Sequence, residues 1–136
     1  MRNLLRSLAL SFCLLSVGSG GCRRDLSSAR GVVEKFVDQH YVNIDLEKAK
    51  QYTVGLALAK IDEELRLTAG QVIDASTRKP AIHYRLLEKK ESARRASFLY
   101  EGTIRAEDAP VFTRRWLILA RREGDRWWVS NFSEYD

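Results

Sequence analysis

Apolar positions along this chain recur first at steps of three and four, then at steps of two. The change of period divides it into a helical part and a stranded part. After Ser27 or Ser28, either of which can cap a helix, Val33, Phe36, Val37, His40 and Tyr41 fall on one helical stripe. Val42-Asn43-Ile44 ends it, and Asp45 is placed to cap a second helix beginning Leu46-Glu47-Lys48-Ala49-Lys50-Gln51-Tyr52. Gly55 is expected to break or kink that helix, since glycine costs ~1 kcal/mol inside a helix relative to alanine. Val54, Leu58, Ile61 and Leu65 then resume helical spacing, with Asp62-Glu63-Glu64 on the polar side. Thr68 to Pro80 reads as a loop with a brief extended piece at Val72-Ile73.

From Ala81 the period is two. Ile82, Tyr84 and Leu86 alternate with His83, Arg85 and Leu87, and Ala96, Phe98 and Tyr100 alternate with Ser97, Leu99 and Glu101 in a strand running toward Ile104. Val111 to Arg121 predicts a third strand, with Trp116, Ile118 and Ala120 on one face and Leu117 and Leu119 on the other. Glu123-Gly124-Asp125 is a tight hairpin turn, and a last strand runs from Arg126 to Phe132, leaving Ser133 to Asp136 as a tail. Helices first, then an antiparallel meander, is an α+β order.

The segment before the first helix has a different composition. Arg2 and Arg6 flank the start, Leu8 to Val17 is apolar, and Gly18-Ser19-Gly20-Gly21 leads into Cys22. A basic, then apolar, then small-residue order is that of a secretory leader, and about 10 apolar residues fall short of the roughly 20 that cross a bilayer. Gly20-Gly21-Cys22 resembles a bacterial lipoprotein signal, in which the cysteine is acylated and becomes the mature N-terminus; Ser19 departs from the aliphatic residue usual there. The resemblance implies a signal peptide over 1–21, lipidation (diacylglyceryl and palmitate) at Cys22, and a tether over 22–28. It places the domain, 29–136, in the bacterial cell envelope, facing the periplasm or the exterior. Two alternatives stand beside it: an ordinary leader cut near Gly20, with Cys22 an incidental thiol, and an uncleaved anchor. Cys13 lies within the leader, so the mature chain has no second thiol for an intrachain disulfide.

Without the leader the chain keeps 115 residues, one domain's worth, and its net charge falls from +5 to +3. Its arginine pairs, Arg94-Arg95, Arg114-Arg115 and Arg121-Arg122, are interspersed with acids, which reads as solvated strand edges with mild attraction to anionic headgroups. No nucleic-acid partner is expected.

Two passages carry a family resemblance: Val32-Val33-Glu34-Lys35-Phe36-Val37 with Asp45 to Tyr52, and Trp116 to Ala120 with Glu123 to Phe132. They resemble the first two helices and the last hairpin of nuclear transport factor 2-like domains, the cone fold of ketosteroid isomerase-like and SnoaL-like proteins. The resemblance implies helices packed on a strongly curved antiparallel sheet around a conical cavity used as an active site, a ligand pocket or a core. The competing arrangement is a cystatin-like helix on a sheet.

Candidate chemistry is sparse. His83, on a strand, is the one weak candidate for acid–base catalysis, which also needs a positioned partner. His40 reads as packing, and Asp38, Asp45 and Glu101 match no catalytic carboxylate. No cofactor fingerprint or metal-ligand spacing occurs, so neither cofactor nor metal is expected. Phe98, Tyr100, Trp116 and Trp127 are candidates to line an apolar ligand pocket. Trp128, adjacent to Trp127 and so on the opposite face, is a candidate partner surface. The sequence is therefore read as a non-catalytic, lipid-anchored protein that binds an apolar ligand in its cone or supports an assembly with an envelope protein or a second copy. The alternative is a small isomerase-like or dehydratase-like enzyme using His83.

Overall fold

Three short helices precede a four-stranded antiparallel meander in the computed structural model, which describes residues 26–74 and 76–136. The leader, Cys22 and the start of the tether lie outside the described residues. Helix α1 spans Ala29–Val37; the Ser28 hydroxyl caps it by accepting the Gly31 N–H at 3.0 Å. Its buried face is Ala29, Val32, Val33, Phe36 and Val37.

The helix then widens into a π-helical turn, Asp38–Val42, closed by the Asn43 N–H donating to the Asp38 carbonyl at 2.8 Å. This turn carries His40 and Tyr41 against Phe36, Phe132 and Trp116.

Asp45 caps α2, Leu46–Lys50, by accepting the Lys48 N–H at 3.0 Å. That helix stops earlier than its sequence predicts. The backbone of Tyr52 to Val54 leaves it to pair with the last strand: Val54 N–H donates to the Val129 carbonyl at 2.9 Å, and Val129 N–H to the Tyr52 carbonyl at 2.8 Å. Covering part of a sheet edge satisfies groups that would otherwise face solvent. Gly55, at φ 58°, opens α3, Gly55–Leu67, rather than kinking a continuous helix.

The strands are β1 Ala81–Glu91, β2 Arg95–Arg105, β3 Phe112–Glu123 and β4 Arg126–Tyr135, in sheet order β1-β2-β3-β4. The expected extended piece at Val72-Ile73 pairs with no strand among the described residues, and Val72 is 78% exposed. Strand β4 also outruns expectation. It continues past Phe132 to Tyr135, which pairs with Arg115, because the Trp116 indole N–H donates to the Glu134 carboxylate at 3.1 Å. A two-residue loop, Gly124-Asp125, joins β3 to β4, with Gly124 at φ 60° in the position where a tight hairpin needs it.

Register shifts at Leu86/Glu88 and Leu119/Ala120 bend the sheet around the helices. The inner face presents Ala96, Phe98 and Tyr100 from β2, Trp116, Ile118 and Ala120 from β3, and Trp127, Val129 and Phe132 from β4. These close on α1 and on Ala57 and Ile61 of α3. The result is an α+β fold, N-terminal helices packed on a curved antiparallel sheet.

Candidate functional site

The inside of the curve is filled with rings. Trp116 lies flat on Tyr41, with centroids 4.1 Å apart and planes within 9°. Phe98 stacks on Tyr100, and Tyr84 meets Tyr100 edge-on at 5.5 Å. Phe98 and Tyr100 are fully buried, while Trp116 and Trp127 are 1% and 4% exposed. The four residues expected to line a ligand pocket all belong to one buried core cluster, in which Phe98, Tyr100 and Trp116 carry the ring contacts described and Trp127 lies toward the hairpin, opposite Arg122. Burial first, then the nearby carboxylates of Glu134 and Glu64, pushes the Tyr41 phenol far above its ordinary range, so it stays neutral.

His40 sits in this packing as well. Its ring stacks on Phe36 at 5.2 Å and meets Tyr41 edge-on and Phe132 at a tilt, while Nε2 is 2.8 Å from the Glu64 carboxylate. Its Nδ1 is buried with no hydrogen-bond partner among the described residues. Aromatic contact on three sides is what a packing residue makes.

His83 stands elsewhere. It is exposed on β1, opposite Thr103, at the rim of a shallow groove shared with Glu34, Asp38 and Tyr84. Tyr84 donates to Asp38 at 2.6 Å. No hydrogen bond or ion pair holds the His83 ring among the described residues, so nothing fixes it in the orientation that acid–base catalysis uses. Among the described residues no three His, Cys, Asp or Glu side chains come close enough to hold a metal ion.

The outer face of the sheet has a different character. Leu99 and Leu117 face each other across β2 and β3, and Leu119 follows one pleat along, opposite Ser97. All three are half-buried, without the deep cover that the inner face receives. Beside them lies a groove of about 500 Å³ between Ser97, Leu119 and Ser130, with Lys90, Arg95 and Arg121 around it.

The β3–β4 bulge makes this groove. Leu119 pairs with Asn131 and Ala120 with Val129, which leaves Ser130 as the extra residue; its hydroxyl donates to the Leu119 carbonyl at 3.3 Å. Lys60 of α3 fixes the bulge from the other side, donating to the Asn131 side chain at 2.8 Å and the Phe132 carbonyl at 2.7 Å. Trp127 and Trp128 point to opposite faces, as adjacency requires. Trp128 is half-buried on the outer face beneath the Arg126 guanidinium, 3.7 Å from the ring centre.

Sequence reasoning placed Leu117 and Leu119 opposite the core positions but attached no role to them. The bulge had a signal: inward positions on β4 step from Val129 to Phe132, three residues instead of two.

No family model matches the chain, and no curated protein matches it. Solved structures resemble it in fold. A putative calcium/calmodulin-dependent protein kinase type II association domain from Thiobacillus denitrificans superposes with a TM-score of 0.62 at 12% identity, over 79% of this chain and 93% of that one. A SEC-C motif-containing protein from Rhodopseudomonas palustris gives a TM-score of 0.58 at 15% identity, over 83% of each chain.

Proposed function

We propose that the chain is a bacterial envelope lipoprotein, acylated at Cys22, with a nuclear transport factor 2-like domain that supports a protein assembly and carries out no catalysis. The observation behind this reading is the contrast between the two sheet faces. The inner face, where a ligand or substrate would sit, is occupied by Tyr41, Phe98, Tyr100 and Trp116. The outer face sets Leu99, Leu117 and Leu119 side by side next to a groove. An apolar row of this kind, with charged residues around it, is the ordinary makeup of a protein-binding surface. The occupant is a second copy of the chain or another envelope protein.

The test uses the full chain extracted from membranes. Intact mass reads the anchor: the wild type carries a diacylglyceryl-sized increment that Cys22→Ser lacks. Sedimentation in detergent and chemical cross-linking in the membrane read the face. Leu117→Arg, on the outer face, is expected to leave the fold intact and to weaken the assembled species at least tenfold, since burying an unpaired guanidinium in an apolar contact is strongly unfavourable. Identical sedimentation and cross-links for wild type and Leu117→Arg refute the assembly role. His83→Ala is expected to leave both readouts unchanged.

A further inference from the structure

The cations of this domain are not spread evenly over it. Successive strands run antiparallel, so the β1–β2 turn and the β3–β4 hairpin lie at the same end of the sheet, joined by the Arg122 N–H donating to the Arg94 carbonyl at 2.9 Å. Residues 88–95 and 121–126 bring seven cations to that end against four carboxylates, a net +3, whereas residues 26–136 as a whole carry only +2. The remainder of the domain is therefore slightly acidic. The four carboxylates lie near four of the cations: Glu88 with Lys90, Glu91 with Lys89, Glu123 with Arg121, and Asp125 with Arg122 at 4.0 Å. Arg94 and Arg95 have no acidic partner among the described residues, and Arg126 lies over Trp128.

Helix α1 points toward this end. Val42 shares a groove with Ile82 and His83, Asp38 accepts from Tyr84, and Phe36 meets Phe132, whose strand partner is Ile118. Those contacts step from the β2–β3 end of the sheet toward the turns, so the start of the helix faces the turn end. Seven tether residues, 22–28, reach about 23 Å at most when extended.

We infer that the turn end of the sheet, which carries Arg94, Arg95, Arg126 and Trp128, is a docking surface for anionic phospholipid headgroups that lays the domain against the membrane holding its anchor. The inference rests on the proposed acylation of Cys22. Lysine and arginine next to an anionic leaflet are attracted within about a Debye length, ~10 Å at 0.1 M salt, which the tether keeps within reach. Trp128 adds an indole, the side chain that settles at the headgroup level. This orientation leaves the leucine row on the side of the sheet exposed laterally, toward neighbours in the plane of the membrane.

Amide hydrogen exchange on the full, membrane-extracted chain reconstituted into vesicles tests it. On vesicles with roughly one third phosphatidylglycerol, exchange at residues 92–95 and 123–126 is expected to slow about tenfold relative to neutral phosphatidylcholine vesicles. The protection should vanish at about 0.5 M salt, where charges are screened within a few ångströms. Arg94→Ser with Arg95→Ser should abolish the protection, while Arg78→Ser with Arg105→Ser, at the other end of the sheet, should preserve it. Equal exchange on the two vesicle types, or protection that survives loss of Arg94 and Arg95, overturns the docking surface. Intact mass separates this from the anchor: a wild type without lipid refutes acylation, and co-sedimentation of that chain with the same two vesicle types still reads the arginine end.

Discussion

Gly102→Ala is a one-atom probe of whether the ring packing inside the sheet is as tight as the structure has it. Gly102 lies mid-strand in β2 and is buried. A methyl group there would stand 2.6 Å from Cζ2 and 2.9 Å from Cζ3 of Trp116. The indole has nowhere to retreat. Tyr41 is stacked on it at 4.1 Å, and its N–H is held by Glu134 at 3.1 Å. Overpacking a rigid core costs ~1–3 kcal/mol, and the pinned ring argues for the upper half of that range. Alanine's smaller loss of backbone entropy returns roughly 0.5–1 kcal/mol, for a net destabilisation of about 2 kcal/mol.

In urea, where m for a domain of this size is about 1–3 kcal/mol/M, the midpoint should fall by about 1 M with m unchanged. The melting temperature should fall by about 8 °C. Trp116→Phe removes the ring atoms that clash. In that background Gly102→Ala should cost nothing further, a coupling that a double-mutant cycle reads directly. A midpoint within about 0.3 M of wild type, or the same drop with and without the indole, refutes the packing argument.

Two further outcomes follow from the same core and its borders. His40→Phe should cost about 1 kcal/mol, because it keeps the stack on Phe36 and removes the buried Nδ1 but gives up the 2.8 Å hydrogen bond between Nε2 and Glu64, whereas His40→Ala should cost about 3 kcal/mol in urea titration. A large penalty for phenylalanine would mean the imidazole itself is required. Asp45→Ala should cost about 1 kcal/mol at neutral pH through loss of the α2 cap. The Lys48 N–H, then its side chain, hold the Asp45 carboxyl below its ordinary value. A depressed folded value makes this contribution fully present above the unfolded pKa, about 3.9, and lost as pH falls through the folded one. Urea midpoints of wild type and Asp45→Ala should therefore converge as the pH falls below the ordinary carboxylate range; a gap that widens on acidification contradicts the cap.

Local rules accounted for the parts of this fold that local chemistry determines. Ser28 and Asp45 cap helices as their residue types predict, Gly124 turns the hairpin, and strict alternation put Trp116, Ile118 and Ala120 inside. The failures all involve partners distant in sequence. The break after Lys50 exists because Val129 offers its backbone to Tyr52 and Val54, which no periodicity within residues 46–65 can disclose. Alternation likewise says which face a ring occupies but not what it meets there. Tyr41 and Trp116 were both legible as inward, yet their stacking, which fills the space where a pocket was expected, depends on the π-helical turn at Asp38. The groove at Ser130 depends on a bulge visible only as a three-residue step between two buried positions.

The outer leucines carry more weight because of what surrounds them. The neighbouring register row on the same face reads Arg85, Glu101, Arg115, and the row beyond it His83, Thr103, Thr113, so the strand geometry accepts polar side chains on this face. Burying a leucine is worth roughly 1.5–3 kcal/mol, and three of them make a patch well short of the 1,200–2,000 Å² typical of a stable free complex. In dilute solution such a face would associate weakly. Proteins held on one membrane and turned the same way meet at effective concentrations on the order of millimolar, so an interface of that size suffices. On the proposed reading, a modest apolar face and a lipid anchor would account for each other: the anchor would supply the concentration, and the leucines the contact.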